Sequence, residues 1–152
     1  MVIYLKQLFN VVGERKDFDY NITTEELSDV RNVGMEFISP VRVKGDVFNR
    51  TGIVYLDYSV RFTLNVTCAR CLAECGRDYH FIFKHIIVRD SDSGNDEYIT
   101  AEKESIDLNQ IAVMDLLLQL PAKTLCKENC KGLCMVCGSD LNKSICEHKD
   151  NY

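Results

Sequence analysis

Five cysteines and a histidine fall within twenty-three residues, C-K-E-N-C-K-G-L-C-M-V-C-G-S-D-L-N-K-S-I-C-E-H, from Cys126 to His148. Within this stretch Cys134-Met-Val-Cys137-Gly138 has the form of a metal knuckle. Its two thiolates lie three positions apart, and a glycine stands where the chain must turn tightly so that backbone N–H groups face the sulfurs. Cys126 and Cys130 lie upstream, Cys146 and His148 downstream. A tetrahedral ion needs four nitrogen or sulfur ligands, which close pairs at the two ends of a short loop supply without a preformed apolar core. The expectation is one Zn²⁺ per chain, held by Cys130, Cys134, Cys137 and Cys146, because Cys130 and Cys146 bracket the knuckle at distances a short loop closes. Cys126 and His148 are reserves.

Other uses of clustered cysteines fit less well. A disulfide framework belongs to oxidising compartments, and the opening M-V-I-Y-L-K-Q-L-F-N-V-V-G-E-R-K has no apolar run long enough for a signal peptide. Buried free thiols would be scattered along strands and helices, whereas these sit among Lys, Glu, Asn, Gly and Asp. The ferredoxin spacings of iron–sulfur proteins are not matched. A second group, Cys68-x-x-Cys71 with Cys75 behind it, reads either as thiols at a strand turn or as a second metal group drawing on Cys75 or a spare tail ligand. A redox pair is the least favoured, since a thioredoxin-like motif should open a helix and a strand follows here. Arg70 would lower a neighbouring thiol pKa, which helps metal binding as much as reactivity. His80 and His85, at odd spacing in a strand pattern, fall on opposite faces and read as structural. No catalytic triad, phosphate-cradling loop or carboxylate pair stands out, so the chain is expected not to be an enzyme.

These residues must be positioned by the rest of a 152-residue chain that is 46% hydrophobic and 27% charged, the proportions of a soluble globular protein. No run approaches the roughly 18 apolar residues of a membrane span, and a cytoplasmic location is expected. Two parts are expected: a β-rich body with a C-terminal helix over 1–121 and a cysteine-rich zinc-binding tail over 122–152. The body carries a balance of −6 and the tail +1. Met1 to Asn10 reads as a first strand or amphipathic turn with Val2, Tyr4 and Leu5 partly buried. Phe18, Tyr20 and Ile22 alternate with polar residues as in a half-buried strand, and Thr23-Thr24-Glu25-Glu26-Leu27 signals a short helix. Phe37, Val41, Val43 and Val47 mark a further strand, with Pro40 at an edge or bulge, and Asn49 to Gly52 marks a turn.

The alternation is clearest from Ile53 to Val66, where Val54, Leu56, Tyr58, Val60, Phe62, Leu64 and Val66 form one apolar face. A third strand covers roughly Tyr79 to Arg89. Long consecutive antiparallel strands twist and curl, so the expected fold is α+β, with an antiparallel, barrel-like body and a covering helix. Asp90 to Asp107 reads as a solvated acidic loop with a weak strand near Tyr98 to Ala101. Asp107 to Leu120 is the helix, stopped by Pro121.

Two strings, Thr67-Cys68-Ala69-Arg70-Cys71-Leu72 and Cys126-Lys-Glu-Asn-Cys130-Lys131-Gly132-Leu133-Cys134-x-x-Cys137-Gly138-x-Asp140-Leu141-Asn142, resemble the bacterial YceD family of large ribosomal RNA subunit accumulation proteins. The order of body, acidic connection, helix and tail fits as well. Met135 stands where family members commonly have Pro, and Cys146-Glu147-His148 where they commonly end in Cys-x-Cys. The resemblance implies ribosome biogenesis through accumulation or processing of large-subunit rRNA. The implied partners are an rRNA precursor or a large-subunit ribosomal protein, with no membrane and no small-molecule substrate. Lys123, Lys127, Lys131, Lys143 and Arg70 are the contact residues expected on this reading, while charge changes at Lys16 or Lys44 are expected to matter little. A thiol or metal-handling protein, or a protein-binding adaptor without RNA contact, are the alternatives.

Overall fold

The computed structural model describes residues 1–23, 27, 36–89 and 98–148. The short helix expected after Thr23 and the first part of the acidic stretch after Arg89 lie outside them. The chain opens with β1 (Val2–Tyr4), α1 (Lys6–Asn10) and β2 (Arg15–Ile22), followed by β3 (Glu36–Phe37), β4 (Val41–Arg50), β5 (Ile53–Thr67) and β6 (Glu74–Val88). It continues through β7 (Tyr98–Thr100), a 3₁₀ turn at Glu102–Glu104, β8 (Ser105–Asp107) and α2 (Leu108–Gln119). The main sheet has the order β2-β4-β5-β6-β7, with β3 on β5, and β1 pairs separately with β8.

The β5–β6 hairpin organises the sheet. Each strand has 15 residues, and at ~3.4 Å per residue the pair is about 50 Å long. Along β5 the alternation holds throughout: Val54, Leu56, Tyr58, Val60, Phe62, Leu64 and Val66 are all buried. The hairpin that feeds β5 turns through Thr51 (φ 55°) and Gly52 (φ 88°), two successive left-handed residues whose twist matches that of the flanking strands. The buried Asn49 holds this turn: its Nδ2 donates to the Leu8 carbonyl at 2.7 Å and its Oδ1 accepts from the Gly52 N–H at 2.9 Å. Pro40 falls between β3 and β4, both paired to β5. At this interruption the Thr63 N–H donates to the Ser39 hydroxyl at 2.8 Å, a side chain standing in for a ladder acceptor.

The sheet does not close, which corrects the barrel-like body expected from long curling strands. Closure needs the outer strands to hydrogen-bond to each other, but among the described residues β2 pairs only with β4, and β7 runs parallel to the end of β6 for three residues. One face is instead capped by α1, α2 and the β1–β8 ribbon. Ile3, Leu5, Leu8, Ile106, Leu108, Ala112 and Leu116 join the strand residues in a single core. Strand alternation turns Ile3 inward and leaves Val2 and Tyr4 exposed, contrary to the expectation for those two. In α2 the buried residues Leu108, Ala112 and Leu116 recur every fourth position, and the Asp107 carboxylate caps the helix by accepting from the Asn109 N–H at 3.0 Å. Asp115, on the same helix, accepts from the Tyr58 hydroxyl and lies 2.6 Å from His85 Nε2, tying α2 to β5 and β6. Among the described residues no helix is long and apolar enough to cross a membrane.

Candidate metal centres

The two sequence groups meet at the tip of the β5–β6 hairpin. After Thr67 pairs with Glu74, the connection is pinned by the Cys68 N–H donating to the Ala73 carbonyl at 2.9 Å and the Leu72 N–H to the Cys68 carbonyl at 3.0 Å. This turn aims the Cys68 and Cys71 sulfurs at the segment beyond α2. That segment is docked by the Ala69 N–H on the Thr124 carbonyl (2.8 Å), the Leu133 N–H on the Arg70 carbonyl (3.2 Å) and Arg70 Nη1 on the Cys130 carbonyl (2.9 Å). Cys68, Cys71, Cys126 and Cys130 thereby form one group, and Cys134, Cys137, Cys146 and His148 a second; within each, the candidate ligand atoms all lie within 4.8 Å of one another.

The sulfurs of Cys68 and Cys130 are 3.8 Å apart and those of Cys71 and Cys126 3.6 Å. Four thiolates around one tetrahedral ion at 2.3 Å bonds would be ~3.8 Å apart, so the first centre has the dimensions of such a site. In the second, Cys146 Sγ is 3.2 Å from Cys137 Sγ, 3.5 Å from Cys134 Sγ and 3.1 Å from His148 Nδ1. The knuckle takes its expected form: the Gly138 N–H donates to the Cys134 carbonyl at 2.8 Å with Gly138 at φ 71°, and the Val136 N–H points at the Cys134 sulfur at 3.4 Å. Short pairing between Leu133 and Asp140 closes the loop.

Hydrogen-bond donors tune the thiols. The N–H groups of Cys71, Cys126 and Arg70 draw the Cys68 thiol down to about 6, against burial. The Ser139 hydroxyl and N–H draw Cys137 down to about 6. Burial, reinforced by the sulfurs of Cys130, Cys71 and Cys68, pushes Cys126 up to about 12. The His148 N–H lowers Cys146, but the Cys137 sulfur, burial and Cys134 outweigh it and push it up to about 11. Sulfurs this close resist ionising together until a cation shares their charge, so each cluster is suited to a bound metal.

The expected quartet is therefore divided differently in space. Cys134, Cys137 and Cys146 come together as read, but their fourth neighbour is the reserve His148. Cys130 faces Cys126 and the hairpin pair. Cys75, on β6, joins neither group; its sulfur faces the Val66 carbonyl at 3.7 Å. A signal for two centres was present in the count: setting Cys75 aside, the cysteines and His148 supply two complete sets of four. Among the expected contact residues, Lys123, Lys127 and Lys131 are exposed. Lys143 lies 3.6 Å from Asp140, and Arg70 is occupied in bracing the first centre.

The sequence model of the family described as large ribosomal RNA subunit accumulation protein YceD matches residues 56–152, which include both centres. The chain belongs to the YceD family. It is 26% identical to the Bacillus subtilis protein YlbN over 148 residues, covering 95% of this chain and 86% of that protein. It is 25% identical over 141 residues to the chloroplastic large ribosomal RNA subunit accumulation protein YCED homolog 1 of Arabidopsis thaliana, and 24% over 144 residues to that of Zea mays. These alignments cover 72% and 73% of this chain, and it spans about half the length of the plant YceD proteins, 44% and 49%. No solved structure matches it significantly.

Proposed function

We propose that this YceD protein is a non-enzymatic ribosome-biogenesis factor that supports accumulation of large-subunit ribosomal RNA by binding an rRNA precursor. The observation that carries this reading is membership of a family described by that role. The chemistry of the centres supports a structural use of metal. Four thiolates, and three thiolates with one imidazole, are complete donor sets for tetrahedral Zn²⁺, with no carboxylate and no open position for a substrate. The first centre would join hairpin to tail, and the second would hold the tail loop in shape. The acid–base group Tyr58–Asp115–His85 lies partly buried between α2 and the sheet, where its hydrogen bonds serve packing.

Affinity purification with identification of co-purifying RNA and protein tests the reading. Large-subunit precursor RNA is expected. Capture of a large-subunit ribosomal protein without RNA would favour the adaptor role. The exposed Cys137 gives a metal-handling role its one specific support. Rapid loss of both metals to a mild chelator at neutral pH would favour that reading, whereas structural centres retain them.

A further inference from the structure

One face of the main sheet is covered by the helices; the other is open, and its charges are sorted into rows. Pairing in register places Asn21, Arg42, Arg61 and His80 side by side across β2, β4, β5 and β6. The next row along the strands is Asp19, Lys44, Ser59 and Ile82. Arg42, Lys44, Arg61 and His80 are all exposed. Like charges directly opposite one another destabilise a strand pair, so the Arg42–Arg61 juxtaposition costs the sheet stability. Asp19 is the carboxylate that pairs with this cluster, accepting from Arg42 Nε at 2.9 Å and Nη2 at 2.8 Å and lying 3.8 Å from Lys44 Nζ. Among the described residues the side chains of Arg61 and His80 make no hydrogen bond or ion pair. The acidic row further along, Asp17, Asp46 and Asp57, is by contrast flanked by its own cations: Arg15 reaches Asp46 at 3.0 Å and Lys84 reaches Asp57 at 3.8 Å. The uncompensated charge is thus local and positive. It sits in a depression of about 160 Å³ lined by Arg42, Lys44, Ser59 and Arg61, and Arg61 also borders a neighbouring hollow with His80 and Asp78, whose carboxylate accepts from the Thr63 hydroxyl at 2.7 Å.

We propose that the Arg42–Arg61–His80 row, with Lys44, is where this protein grips the phosphate backbone of RNA. A guanidinium fork binds phosphate bidentately; the fork of Arg61 is unengaged, and Arg42, held by Asp19 through Nε and Nη2, keeps its Nη1 donors, so adjacent strands present donors to an extended anionic chain crossing the sheet. The inference rests on the RNA-binding reading above and moves the main electrostatic contact from the tail lysines to the sheet. It also reverses the expectation that Lys44 matters little.

The test is fluorescence anisotropy with a labelled fragment of large-subunit rRNA at several salt concentrations. The full-length metal-loaded chain is compared with an Arg42→Ala/Arg61→Ala variant, an Arg42→Lys/Arg61→Lys variant and a Lys127→Ala/Lys131→Ala variant. Removing both guanidinia is expected to weaken binding at least about tenfold and to flatten the salt dependence by about 1.4 in log–log slope, two phosphate contacts' worth on a single strand. The lysine pair is expected to restore the slope but only part of the affinity, and the tail variant to lose less than the alanine pair. Melting temperatures of the sheet variants at or above wild type would show that the fold is intact. If the alanine variant proves unstable, the arginine-to-lysine variant still decides through its incomplete recovery of affinity. Unchanged affinity and slope in both sheet variants, with wild type binding RNA, would overturn the inference while leaving the RNA reading in place. No RNA binding by wild type would overturn both. Competition by polyglutamate as strong as by unlabelled RNA would overturn RNA as the ligand.

Discussion

Gly45 lies opposite Tyr58 on the covered face of the β4–β5 pair, and a Cβ there would fall 2.2 Å from the Asp57 carbonyl oxygen and 2.4 Å from Tyr58 Cβ. Backbone atoms cannot yield to such an overlap, so Gly45→Ala is expected to cost at least about 2 kcal/mol, read as a fall in the urea midpoint. Asp46, next along β4, shows the opposite relation between a side chain and its surroundings. Burial raises its pKa against the pull of Arg15, and its Oδ2 has no hydrogen-bond partner. A carboxyl whose folded pKa lies above its unfolded one favours the fold while protonated, and that contribution is lost as pH rises through the folded value. Asp46→Asn is therefore expected to raise the melting temperature at neutral pH. The gain should fade as pH is lowered through the carboxylate range and the wild-type carboxyl itself becomes neutral. A difference that grows on acidification would contradict this account. The knuckle at Cys134 and Cys137 was legible in the sequence because its ligands are neighbours in the chain. The partnership of Cys130 was not: it is only four positions from Cys134, and docking against the hairpin tip, not spacing, assigns it to Cys68 and Cys71.

The long strands and the helix could be read from periodicity, since alternation in β5 and the run ending at Pro121 each record which side faces the core. Closure could not, because it depends on whether β2 and β7 meet, and no local pattern encodes that. The tie between α2 and the sheet was equally hidden: Asp115 breaks an otherwise apolar run and would pass for an exposed residue, yet it serves both Tyr58 and His85. Burial together with the Asp115 carboxylate keeps the Tyr58 phenol far from ionising, so it remains a donor at every accessible pH. Asp115→Ala leaves the Tyr58 hydroxyl and the His85 ring without this acceptor in a half-buried seam. The expected loss is about 1–3 kcal/mol in chemical denaturation, with Asp115→Asn losing less because it still accepts from Tyr58. Equal losses in the two variants would mean that helix packing alone carries the contact.

At the scale of the molecule, the two centres have unequal jobs. The first draws ligands from two distant stretches, Cys68 and Cys71 at the hairpin and Cys126 and Cys130 beyond α2, whereas the second lies wholly within the stretch from Cys134 to His148. Cys71→Ser and Cys137→Ser should each lower metal content by about one ion per chain, but with different structural results. In Cys71→Ser the tail is expected to detach, and amide protection is lost at Val66 to Cys75 as well as through Cys126 to Leu133. In Cys137→Ser the loss is expected to be confined to Cys134 to His148. Full chelation should combine the two effects and leave β5 protected from Val54 to Phe62, because that span is buried by α1, α2 and neighbouring strands rather than by the tail. Hydrogen exchange read by mass spectrometry separates the cases. Loss of protection across Val54 to Phe62 on chelation would mean that body and tail fold as one metal-dependent unit, and identical exchange patterns in the two serine variants would mean that the centres do not act separately.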